Sequence, residues 1–209
     1  MISGGNTLII HLNRATPLSS YAGFEAGTKS LGKILQNPHI NIDDVYKNMI
    51  MTSNKRIGIL CYNALETDSY PEITAGQLTQ LLKVCRTEIE DVILVLAGEW
   101  IPADMKKAVM SQNGVIIALL TTDVKGLVWQ RQVLSGIEHI AVLSKAEKSA
   151  YADLLKTESG AQYIIDHDRA FRRQFKTDGK LPAKPSKSCQ TAAKLIADKL
   201  TEAVENAEQ

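Results

Sequence analysis

Apolar and polar positions along this chain follow two rhythms. Short, continuous apolar runs occur at Thr7–Leu12, Arg56–Cys61, Asp91–Leu96, Gly114–Leu120, His139–Leu143 and Gln162–Ile165. Each has the length of a strand and lacks in–out alternation, so each predicts a strand covered on both faces. Between them the apolar spacing widens to that of helices. Leu78, Leu81, Leu82 and Cys85 share one face of a helix from Thr74 to Arg86. Pro102 stands near the start of a helix running from Ile101 to Ser111, where its missing N–H costs nothing. Thr122-Asp123 predicts the cap of a helix carrying Val124, Leu127, Val128 and Val133. Ala146–Ser159 is another helix. The last starts at Ser186 or Ser188, points Ala192, Leu195, Ile196, Leu200 and Ala203 inward, and frays over the acidic tail 205–209.

Strands alternating with helices on this scale predict an α/β fold: a mostly parallel central sheet of about six to seven strands with helices on both faces. The chain reads as one domain over residues 1–209, without internal repeats. The stretch Thr177–Lys187, with Pro182 and Pro185, predicts an irregular, exposed segment.

Composition narrows the function classes. The 209 residues are 44% apolar and carry a formal net charge of +1, which supports a sizeable core and argues against general affinity for nucleic acid or membranes. Cys61, Cys85 and Cys189 lie far apart and form no C-x-x-C pair, as expected of buried thiols in a reducing compartment. No apolar run is long enough to span a bilayer and no signal-peptide pattern opens the chain, so the expectation is a cytoplasmic protein.

The candidate chemistry begins with a near-miss. Gly27-Thr28-Lys29-Ser30-Leu31-Gly32-Lys33 has the phosphate-loop spacing G-x-x-x-x-G-K, but Ile34 stands where a Ser or Thr hydroxyl would hold Mg²⁺. Fourteen residues separate Leu12 from Gly27, whereas a phosphate loop follows its strand at once. A loop leading into a capped helix is the better account. His11 ends an apolar strand, where α/β sheets place ligands, and its bland reading is a satisfied buried histidine. Glu99-Trp100 stands at another strand end. Trp129 reads as a core or interface residue. Asp166-His167-Asp168 is too contiguous for a metal site, and Asp168 fits a helix cap better. Arg169, Arg172, Arg173 and Lys176 are spaced for one helical face in a nineteen-residue stretch, Arg169–Lys187, with one acid, Asp178. That patch would suit weak, non-specific contact with DNA phosphates or anionic lipid; its bland reading is a solvated face. No G-x-S-x-G nucleophile motif occurs.

The order and spacing of these elements resemble the MinD/ParA class of P-loop ATPases, including the TadZ/CpaE pilus-assembly relatives. In that resemblance Thr7–Asn13 looks like the family's second strand and Gly32–Ile50 like the helical excursion after it. Asp91–Gly98 looks like the Walker B strand, and Ile164–Leu200 like the final segment. The resemblance implies a three-layer, P-loop NTPase-like fold. The motif residues do not follow it. The family's acids on the second strand would fall at His11 and Asn13, the Walker B carboxylate at about Leu96, and the base-contacting asparagine at about Ser144. Its lysine-bearing loop belongs before Thr7, where only Met1-Ile2-Ser3-Gly4-Gly5-Asn6 stands. In this register the first, central strand is missing, and two strand edges are left without partners. In an alternative register Thr7–Leu12 is itself the first strand and Asn13–Tyr21 a degraded phosphate loop.

What the resemblance implies for function is a catalytically degenerate scaffold or positioning adaptor in a bacterial cytoplasm. It would work through protein partners and as a homodimer, with no cofactor. One alternative is a fragment of an active ATPase whose phosphate loop lies upstream, with ATP and Mg²⁺ as cofactors. Another is a small-molecule enzyme of doubly wound fold using His11, Glu99 and Asp168.

Overall fold

In the computed structural model, residues 6–14, 17–20, 27–52, 55–64, 70, 72–96, 102–146, 150–167 and 185–207 are described. The chain forms two compact units, one ending at Gln112 and the other beginning at Asn113.

The first unit is built on strands β1 (Thr7–His11), β2 (Ile50–Met51), β3 (Ile57–Cys61) and β4 (Asp91–Val95), in the order β2-β3-β1-β4. β1 pairs in parallel with β3 on one side and β4 on the other, while β2 adds antiparallel to β3. Leu8 and Ile10 of β1, Leu60 of β3, and Val92 and Leu94 of β4 project into one cluster. Four helices add to it, α1 (Leu31–Leu35), α2 (Ile42–Asn48), α3 (Ala75–Cys85) and α4 (Ala103–Met110), together with connecting residues such as Ile40, Tyr62, Tyr70 and Ile89. Leu31, Ile34, Val45, Leu78, Leu81 and Cys85 are almost fully buried there. Burying a side chain of this size contributes about 1.5–3 kcal/mol.

Three helix starts are fixed by side chains. Thr74 and Gln77 form a reciprocal capping box on α3, and Asn41 with Asp44 forms one on α2. Ser30 caps α1, the loop-then-capped-helix expected after Gly27. β2 has no counterpart in the sequence reading, because two residues make no detectable apolar run.

The second unit holds β5 (Ile117–Thr121), β6 (Ile140–Ala146) and β7 (Tyr163–Asp166), all parallel in the order β5-β6-β7. Helices α5 (Val124–Val133) and α6 (Ala150–Ser159) connect them, as parallel pairing requires. Ala118, Leu120, Ala141, Leu143 and Ile164 share a cluster with Leu127 and Val133 of α5 and Leu155 of α6. The final helix α7 (Lys187–Ala207) packs along β7. Ala192 is buried as expected, but Leu195 is 49% exposed, because it lies one step round the helix from the stripe through Ala192 and Ile196.

Gln130 ties this unit together. Its amide donates to the Ser159 carbonyl at 2.9 Å and meets His139 Nε2 at 3.0 Å. His139 Nδ1 lies 2.7 Å from the Ile137 carbonyl, so the ring carries its hydrogen on Nδ1 and accepts at Nε2. Trp129 is half-buried against the cluster, and its indole N–H has no partner among the described residues. Mixed and parallel sheets with flanking helices make the α/β class expected from the sequence.

Candidate functional site

The chain leaves β1 for β3 on one side, then crosses from β3 to β4 on the other. Open α/β sheets form their ligand crevice at such a reversal, outside the carboxyl end of the central strand. Here that end is His11, in register with Cys61 of β3 and Val95 of β4. The ladder extends one step further, with the Leu12 N–H donating to the Val95 carbonyl at 3.0 Å.

His11 is buried at 6% exposure, and burial lowers its pKa below the usual histidine value, so the ring is neutral at physiological pH. Next to it in register, burial raises the Cys61 thiol above its ordinary range. The Tyr62 phenol is pushed up to about 12 for the same reason. Burial thus favours the uncharged form of all three groups.

Two serines from the connection between β1 and α1 close the backbone that leaves β3. Ser19 Oγ donates to the Tyr62 carbonyl at 2.9 Å and accepts the Ala64 N–H at 3.1 Å. Ser30 Oγ accepts two backbone N–H groups, from Gly32 at 3.1 Å and Asn63 at 3.2 Å. The Asn63 side chain completes the closure by donating to the Gly27 carbonyl at 2.8 Å. Ser30 and Asn63 are both buried. A hydroxyl satisfying two buried donors is a structural clip, since each donor left alone would cost about 1–3 kcal/mol.

The near-miss loop therefore lies at the strand ends, despite its distance in sequence from Leu12. Its chemistry is spent on packing. The Lys33 ammonium donates to the Thr28 carbonyl within its own loop, and Lys29 Nζ donates to the Met49 carbonyl at 2.8 Å. Ile34 is a core residue at 1% exposure, and Gly32 faces the Tyr70 ring so closely that no side chain fits between them.

The ends of β5 and β6 differ. Asp123 caps α5, accepting from the Gly126 N–H and the Thr121 hydroxyl, both at 2.8 Å. Those bonds hold its carboxyl below the usual carboxylate range. Ser144 Oγ donates to the Leu120 carbonyl at 3.2 Å, and the exposed Lys145 takes a left-handed φ of 59° beside an irregularity in the β6–β7 pairing.

Of the positions singled out from sequence, His11 and Asn13 lie at the end of β1, Leu96 follows β4 half-buried, and Ser144 lies in β6. Glu99, Trp100, Asp168 and the basic positions Arg169, Arg172, Arg173 and Lys176 lie outside the described residues. Asp166 ends β7 and accepts from the Ser188 hydroxyl at 2.7 Å. The bonds of Ser19 and Asn63 were missed, as was the second bond of Ser30, to Asn63, beyond the expected helix cap. The available signals were a serine before the apolar Leu31 and an asparagine just past an apolar strand. Among the described residues no three His, Cys, Asp or Glu side chains gather as a metal site, and no helix is long and apolar enough to cross a membrane.

A parallel α/β frame with its reversal at β1 defines a doubly wound class of protein, and comparison places it more closely. No protein-family model matches the chain, and no curated protein sequence matches it. Solved structures do. A ParA family ATPase from Chlorobium tepidum TLS superposes over 93% of this chain and 86% of its own, with TM-score 0.71 and 13% identity. A structure assigned as a plasmid partition protein from Borrelia burgdorferi B31, bound to AMPPNP, matches over 95% and 88%, with TM-score 0.66 and 10% identity. The MinC:MinD cell division complex of Aquifex aeolicus matches over 85% and 75%, with TM-score 0.59 and 13% identity. At these identities the likeness is one of fold: the chain has the fold of ParA- and MinD-type ATPases.

Proposed function

We propose that this chain is a ParA/MinD-fold scaffold or positioning adaptor in which the strand ends serve packing and not nucleotide chemistry. The observation that carries the reading is the closure formed by Ser30, Asn63 and Gly27. The loop with phosphate-loop spacing is bonded to the end of β3, and both of its lysines are bonded to carbonyls. Ammonium groups committed in this way are not arranged to receive phosphates. In the register that the resemblance implies, neutral His11, Asn13 and Leu96 stand where the family's ATPases carry acids. The reading expects no cofactor, a cytoplasmic location, and work through protein partners or a second copy of the chain. Calorimetric titration of the purified protein with Mg²⁺-ATP, followed by a phosphate-release assay, tests it. The expected outcome is no saturable binding; micromolar, Mg²⁺-dependent binding with hydrolysis overturns it.

A second reading is favoured by one edge of the first sheet. β4 closes the order β2-β3-β1-β4 as a five-residue apolar strand with Ile93 43% exposed, and its outer side pairs with no strand among the described residues. Sheets normally blunt such an edge, as the two-residue β2 does on the other side. A first strand encoded upstream of Thr7 would suit it, with β1 as the second strand. The chain would then be part of an ATP-hydrolysing protein. Mapping the translation start separates the readings. An upstream start encoding a strand and a Gly-Lys-Thr loop supports this one, and initiation at Met1 removes it.

A further inference from the structure

We draw no further inference here: the strongest candidate, the exposed apolar patch of Val124 and Val128 on α5, carries nothing because nothing in the structure shows what covers it.

Discussion

Two strand ends in this protein solve the same local problem in opposite ways. Each lies where a strand gives way to a helix, and each must satisfy the free N–H groups of that helix's first turn. After β1 the cap is Ser30, a neutral hydroxyl that is fully buried and also holds the Asn63 N–H of the segment after β3. After β5 the cap is Asp123, a charged carboxylate in water that serves only its own turn. The first arrangement joins segments 33 residues apart in sequence and belongs to the core. The second is local, bonding only Thr121 and Gly126. Closure of the strand end in the first unit is what the proposed scaffold reading expects.

The largest expected effect tests how tightly each end is packed. A Cβ at Gly32 would fall within the Tyr70 ring, and one at Gly126 would lie 2.5 Å from the Thr121 carbonyl oxygen. Gly32→Ala should destabilise the protein by about 3 kcal/mol and Gly126→Ala by about 2 kcal/mol, the range of overpacked sites. Gly76 in α3 has open space around its Cβ direction, so Gly76→Ala should stabilise by about 0.5–1 kcal/mol. Urea unfolding followed by circular dichroism measures all three. A neutral Gly32→Ala would mean that Tyr70 does not close over α1.

Caps come next in size. Ser30→Ala leaves two buried N–H groups without an acceptor and should cost about 2 kcal/mol. Asp123→Ala removes an exposed cap that water replaces in part, for about 1 kcal/mol. Equal losses in the two variants would erase the distinction between a buried clip and a local cap. Ser30→Thr, which keeps the oxygen, should recover part of the first loss.

The sequence revealed the frame of both units but only one of the two ends. β1 and β3 were readable because strands covered on both faces are continuously apolar; β4 carries the same kind of run although Ile93 is exposed. α3 was readable because Leu78, Leu81, Leu82 and Cys85 repeat at helical spacing. Asp123 was readable because its bonds reach no further than Gly126. Ser30 was not, because its second partner is set by tertiary packing. The same limit made the near-miss loop look remote, when Asn63 holds it at the strand ends. Leu195 misled for a different reason: helical periodicity tells which residues share a face but not how wide the buried stripe is.

The smallest effect is a loss of stability seen only on acidification, at a different pH for each end. His11 has its folded pKa lowered from the ordinary 6.5 by burial, so the unfolded chain binds a proton more readily than the folded one. Its contribution is complete above 6.5 and is lost as pH falls through the lower folded value. Asp123 is also lowered, from 3.8, by hydrogen bonds to its charged form, and its contribution is lost only below that pH. Thermal midpoints followed from pH 7.5 downwards should therefore decline in two windows. His11→Gln should flatten the one beginning near 6.5, and Asp123→Asn the one below 3.8. The Asp123 window should also be shallower, because its carboxylate is exposed to solvent and screened. An unchanged slope in His11→Gln would show that the end of β1 admits a proton without loss of packing. His11 would then be no better shielded from protonation than the exposed Asp123.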